Sequence, residues 1–330
     1  MKKIYLLITI SLFLLNCKKA TKKEKEIGVI AQKAMVVSAR VEASKIGLDI
    51  LKKNGNAYDA MVATHFALAV VYPVAGNIGG GGFMVYRNND GTKGALDFRE
   101  KAPVTAHRDM YLDAQGNVIK NKSTEGAYAV GIPGSVAGAF EVFEKFGSLP
   151  FKNLIQPAID LARNGFIVTK KQAISLNRAA DKFEKVNNYK TLFEKEWKEG
   201  DWIQQEELAQ TLERIRDLGK EGFYKGKTAD LFVNYVTELG GIISHEDLSK
   251  YKAIWRKPIT FNYRDYNIIS MTLPSSGGIC LAQILKSIEP YDISKIKHNS
   301  TKYIQLLTKS ISPKKFALSA YDLFSASVKS

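Results

Sequence analysis

Cysteine is nearly absent: Cys17 and Cys280 are the two among 330 residues. A pair of thiols closes one bridge at most, so the disulfide framework that staples small secreted domains is excluded. Histidine is almost as scarce. His65, His107, His245 and His298 are scattered without ligand spacing, which disfavours a zinc site and a Ser-His-Asp triad; no metal and no cofactor is expected. Acidic residues are outnumbered, 33 Asp and Glu against 48 Lys and Arg, for a net charge of +15. The excess is spread along the chain. With no helix-turn-helix signature, zinc pattern or interleaved aromatic stripe, a nucleic-acid partner is set aside. The apolar run Ile4 to Leu15 would reach only about 18 Å as a helix against roughly 30 Å of hydrocarbon, too short for a permanent membrane span.

What that run does resemble is a secretion signal over residues 1–16, with Lys2-Lys3 before it and Asn16-Cys17 after it. Leu14-Leu15-Asn16-Cys17 resembles a bacterial lipoprotein cleavage box, which implies a lipidated Cys17 at the mature N-terminus. A plain signal peptide with an incidental cysteine is the other reading. With Cys17 lipidated, Cys280 has no partner for an intrachain bridge. Residues 17–30 read as a lysine-rich spacer, so the expectation is an exported, periplasmic or outer-membrane-associated lipoprotein that meets the membrane through its lipid. The remainder, in a chain 45% hydrophobic and 10% aromatic, has ample material for a folded core.

Local signals outline the elements. A helix is expected from Val41 to Lys53, stopped at Asn54-Gly55, and a second from Ala57 to Val71, capped by Asn56 and ended by Pro73. The second is apolar nearly all round and should be buried, which makes its His65 a core residue rather than a ligand. Phe83 to Arg87 and Ala95 to Phe98 read as a hairpin around Asn88-Asn89-Asp90-Gly91. Further helices are expected after Gly134-Ser135 and around Leu154, Ala158 and Leu161. The charged segment from Lys170 to Gly226 reads as helical and packed outside a sheet. Ser244 and Asp247 suggest a capped short helix, followed by strands over 253–261 and 266–271 and a helix from Ile279 to Ile288. Helices flanking paired strands indicate a layered α/β (α+β) domain.

Gly79, Gly80, Gly81 and Gly82 invite a phosphate cradle, but a P-loop needs Lys and Ser/Thr next and a helix after it. Here Phe83-Met84-Val85 and a strand follow, so glycines that let backbone approach backbone are the better reading. Arg99, at the end of the hairpin strand, can hold a carboxylate by two parallel hydrogen bonds; on spacing alone, pairing with an acidic neighbour is favoured. Ser275 and Ser276, ahead of Gly277 and Gly278, lack the glycine that a G-x-S-x-G elbow requires and read as helix caps. The S-x-x-K match at Ser249-Lys250-Tyr251-Lys252 has no partner motif and reads as chance.

Together, Asp59-Ala60, the block from Ala75 to Met84, Leu96-Asp97-Phe98-Arg99-Glu100 with Ala102-Pro103, Arg108 to Asp113, Gly131-Ile132-Pro133-Gly134 and Pro274 to Ile279 resemble bacterial gamma-glutamyltranspeptidase (glutathione hydrolase). The resemblance covers residues 27–292 in the family's order. It implies an αββα N-terminal nucleophile hydrolase sandwich and a precursor that cleaves itself before a threonine. That threonine's hydroxyl then attacks the gamma-glutamyl amide of substrates such as glutathione, and water or an acceptor amino acid resolves the acyl-enzyme. By the same resemblance Arg99 grips the substrate's alpha-carboxylate. Gly79 to Gly82, and Ser275 to Gly278, would shape the pocket.

Residues 31–311 correspond to the family's large subunit, and 312–330 read as a divergent tail beginning at Ser312-Pro313. No threonine matches the nucleophile, so the chain alone is expected to be inactive unless a small subunit is supplied separately. The alternatives are a lipoprotein that binds gamma-glutamyl peptides without cleaving them, and a related acylase acting on beta-lactam side chains.

Overall fold

The computed structural model describes residues 28–311. The expected signal peptide, Cys17, the expected spacer as far as residue 27 and the 312–330 tail lie outside the described residues. The chain divides into two units at Met35. In the first, residues 28–35 are exposed and form no helix or strand. The second begins at Val36 and holds every element that follows.

Helix α1, Val41–Lys52, ends at Asn54, whose φ of 64° turns the chain out of the helix. Helix α2, Ala57–Val71, starts in a capping box: the Asn56 side chain accepts from the Tyr58 and Asp59 N–H groups, and Asp59 accepts from Asn56 N–H. Asp59 is fully buried and also accepts from Ser148 N–H and the Ser148 hydroxyl, tying the start of α2 to a loop some ninety residues on. The apolar girdle of α2, with Val62, Phe66 and Val70 buried along one side and Ala60, Ala67 and Val71 along another, allows it to pack on several helices at once. A short helix, α3 (Pro73–Gly76), follows.

Strands β1 (Phe83–Arg87) and β2 (Lys93–Asp97) pair antiparallel, Phe83 opposite Asp97 and Arg87 opposite Lys93. The ladder runs one pair further, through mutual hydrogen bonds of Gly82 and Phe98 at 3.2 and 3.0 Å. Helices α4 (Ser135–Phe146) and α5 (Phe151–Asn164) begin and end near the expected glycines, and α2 packs against α1, α4 and α5. Beyond α5 the helices α6 (Lys170–Val186), α7 (Glu206–Leu218), α8 (Glu221–Tyr224) and α9 (Gly226–Glu238) follow. This charged region does not lie on a sheet as expected. Its apolar stripe of Ala209, Leu212 and Ile215 packs on α5, which in turn packs on α2. It also contains a two-residue ladder, β3 (Phe166–Ile167) with β4 (Trp202–Ile203), too short to leave a periodic signal.

Helix α10, His245–Lys250, opens with the expected Ser244 and Asp247 capping box. The strand expected over 253–261 is two strands in two sheets. β5, Ile254–Arg256, joins β2 to complete a three-stranded sheet in the order β1-β2-β5; β6, Ile259–Tyr263, pairs with β7, Tyr266–Ser270. Pro258 stands between them, and a residue without an N–H cannot carry a ladder through. Helix α11, Gly277–Ile288, packs on β6 and β7, and α12, Thr301–Ile311, packs on α11. β2 is the middle strand of its sheet, and its residues 94–97 are buried on both faces. That burial sets the stage for the residue that follows it.

Candidate functional site

Arg99 leaves the sheet one residue past the last ladder pair, and its backbone is gripped from several directions. The Arg99 N–H donates to the Asp97 carboxylate at 3.1 Å, while that carboxylate also accepts from the Arg256 guanidinium at 2.7 and 2.9 Å. The Arg99 carbonyl accepts from the Tyr251 hydroxyl at 2.7 Å. Burial first, and then the Asp97 and Glu100 carboxylates, push the Tyr251 phenol well above its ordinary range, so it stays a proton donor. Tyr251 stacks on Tyr224, with ring centroids 5.8 Å apart and planes 4° from parallel. Tyr224 is itself fixed, donating to Pro133 C=O at 2.8 Å and accepting from Ala137 N–H at 3.2 Å.

The Arg99 side chain is not consumed by these contacts. It is 55% exposed; its nearest acid, Glu100, lies 3.9 Å away, which is beyond hydrogen-bond distance, and its guanidinium carbon is 5.8 Å from the Phe83 ring centroid. The local ion pair favoured by spacing is thus present but loose, worth little at such exposure. More than half exposed, the guanidinium can meet a planar anion.

Among the four glycines the roles differ. A Cβ on Gly81 would stand 2.4 Å from Phe98 O, 2.8 Å from Glu100 N and 2.9 Å from Arg99 C, so here backbone packs directly on the Arg99 segment. On Gly82 it would meet the Phe98 ring at 2.9 Å, whereas on Gly79 and Gly80 it would find nothing nearer than 3.4 Å. Gly80 serves through its carbonyl, which accepts from Gly134 N–H at 2.8 Å and Ser135 N–H at 3.0 Å and so joins the glycine run to the start of α4. The second glycine pair lies elsewhere. A Cβ on Gly278 would stand 2.2 Å from Met271 O, and one on Gly277 would meet Ser275 Oγ of its own loop at 3.4 Å. In that loop the cap is made by Ser275, whose hydroxyl accepts from Gly277 N–H at 3.3 Å; Ser276 at the helix N-cap makes no side-chain cap bond.

Tyr251, Arg256 and Gly134 were not singled out for this site by their spacing; Tyr251 stood inside the chance S-x-x-K match. A cavity of about 760 Å³ lies between Tyr72, Asn77, Phe166, Leu176 and Phe183, and Arg99 does not line it. Among the described residues no group of three or more His, Cys, Asp or Glu could hold a metal ion, and no helix is long and apolar enough to cross a membrane.

The family model described as gamma-glutamyltranspeptidase matches residues 43–319. This chain belongs to the gamma-glutamyltranspeptidase family. It is 44% identical to the glutathione hydrolase proenzyme of Escherichia coli strain K12 over 283 residues, 84% of this chain and 49% of that protein. To the glutathione hydrolase proenzyme of Pseudomonas aeruginosa it is 46% identical over 266 residues, 80% of this chain and 47% of that one. The crystal structure of Helicobacter pylori gamma-glutamyltranspeptidase superposes with a TM-score of 0.82 at 43% identity, covering 86% of this chain and 82% of the solved one. The layered α/β architecture of this gamma-glutamyltranspeptidase family member is therefore that of the N-terminal nucleophile hydrolases. The chain spans about half the length of the curated relatives it matches.

Proposed function

We propose that the chain serves in cleaving gamma-glutamyl amides such as glutathione, with transfer to water or to an acceptor amino acid or peptide. In this reading it recognises substrate and works with a small subunit. The observation that carries the reading is Arg99: a half-exposed guanidinium, on a backbone held at both its N–H and its carbonyl, within the LDFRE segment of a gamma-glutamyltranspeptidase family member. A fork so presented suits the alpha-carboxylate of a gamma-glutamyl group, which accepts two parallel hydrogen bonds. Export through residues 1–16 and anchoring through a lipidated Cys17 complete the proposal.

The test is an NMR titration of the full chain, following the Arg99 Nε–Hε resonance. Glutathione is expected to move it, and an analogue lacking the alpha-carboxylate is not. An Arg99 signal unmoved by glutathione refutes the assignment.

A further inference from the structure

Arg99 presents a puzzle of direction. Among the described residues its guanidinium has only the loose neighbours Glu100 and Phe83, which do not aim it. Aim must come from the backbone, and there each polar group of the residue is held. The N–H is fixed by Asp97, which is 7% exposed and braced by Arg256; the carbonyl is fixed by Tyr251, which is 5% exposed. A residue with both its N–H and its C=O engaged has little freedom in φ and ψ, and the Cα–Cβ direction follows from those two angles.

We propose that Tyr251 is a positioning residue for Arg99, holding the Arg99 carbonyl so that the guanidinium departs from the sheet in one direction. Three features show that the place is built for this hydroxyl. The ring is seated by its stack on Tyr224, which is locked at its own hydroxyl by Pro133 and Ala137. Room for the hydroxyl depends on Gly134, where a Cβ would come within 2.2 Å of Tyr251 Oη and 2.0 Å of Phe98 O. Two residues past Arg99 the link between the two segments is extended: Lys101 Nζ donates to Lys252 C=O at 2.7 Å and lies 4.9 Å from the Tyr251 ring centroid. The consequence for ligand binding rests on the reading of Arg99 as the carboxylate grip; the positioning itself does not.

The test compares the full chain with Tyr251→Phe, Tyr224→Phe and Arg99→Ala. Tyr251→Phe removes one oxygen and keeps the ring stack; Tyr224→Phe removes the adjacent buried hydroxyl, which does not touch Arg99. Amide hydrogen exchange is followed at Arg99 and Lys101 and referenced to the β1–β2 ladder. Relative to that ladder, Tyr251→Phe is expected to speed exchange at Arg99 on the order of tenfold, and Tyr224→Phe, which keeps the stacked ring and the Tyr251 hydroxyl, to speed it clearly less. Equal acceleration in both variants, or none in Tyr251→Phe, overturns the proposal, because a general loss of stability moves both alike. In the glutathione titration, Tyr251→Phe is expected to weaken binding by roughly threefold to tenfold, as a misaimed charged hydrogen bond should. Glutathione binding that persists undiminished in Arg99→Ala refutes the carboxylate reading instead, and the exchange result still decides whether Tyr251 holds Arg99.

Discussion

Replacing Gly81 by alanine adds one methyl group at the point where the glycine run lies against the Arg99 segment. The added carbon would stand 2.4 Å from Phe98 O, 2.8 Å from Glu100 N and 2.9 Å from Arg99 C. All three are backbone atoms, so no side chain can rotate away; either the lead into β1 or residues 98–100 must shift. Forcing a methyl into such packing costs about 1–3 kcal/mol. At roughly 2–4 °C per kcal/mol for a domain of this size, a 2 kcal/mol loss lowers the thermal midpoint by about 4–8 °C. Gly79→Ala is the matched control. Its nearest neighbour is Asn77 Oδ1 at 3.4 Å and its φ is not in the left-handed region, so alanine should be neutral there or stabilising by up to about 1 kcal/mol through the unfolded chain. Both variants are melted by circular dichroism at one pH and concentration. Equal midpoints for Gly81→Ala and the parent chain, or an equal loss in Gly79→Ala, would refute the close approach assigned to Gly81.

Asp59→Ala should cost about 2–4 kcal/mol in urea unfolding, since it removes the reciprocal cap of α2 and leaves the Ser148 N–H without its acceptor; a loss below about 1 kcal/mol would contradict that role. For His65, burial lowers the pKa and a hydrogen bond with the Ser135 backbone offsets this only in part, while Nε2 is buried without a partner. The unfolded chain then binds the proton first. Stability tied to neutral His65 is present above about pH 6.5 and is lost as pH falls below it toward the folded pKa. Stability measured between pH 7.5 and 5.5 should therefore fall more steeply in the parent chain than in His65→Phe, and parallel curves would argue otherwise. Labelled fatty acid should enter the protein expressed in a bacterial host and be absent from Cys17→Ser; label retained in that variant would exclude Cys17 as the anchor.

What could be read beforehand was local. The Asn56 cap, the apolar run behind it and Pro73 beyond it delimit α2 because each signal acts within a turn of the helix it governs. The hairpin turn is equally local, with Asn88 N–H bonding Thr92 C=O across it at 2.8 Å. Pro258, inside the run read as one strand over 253–261, was passed over, and its missing donor accounts for the division of that run between two sheets. The finer structure of the site was not legible. Four identical glycines give no hint that Gly81 meets backbone, Gly82 a ring and Gly79 only an ordinary contact with Asn77, because the difference lies in residues 98–100. Nor does anything near Tyr251 in sequence announce Arg99, 152 residues away. The family resemblance supplied the role proposed for Arg99, and only three-dimensional packing supplies what holds its backbone.

That separation bears on the order in which the site can assemble. The β1–β2 hairpin closes over a few residues, whereas joining Tyr251 to Arg99 closes a loop of 152 residues. By the logarithmic scaling of loop entropy the longer closure costs about 4 kcal/mol from its length-dependent part alone. A chain emerging from its N-terminus can thus form the hairpin and bury the β2 side chains long before residues 251–256 exist to complete the sheet. Arg99 becomes a directed group only at the close of that sequence, so every shorter nascent chain carries the arginine without its aim.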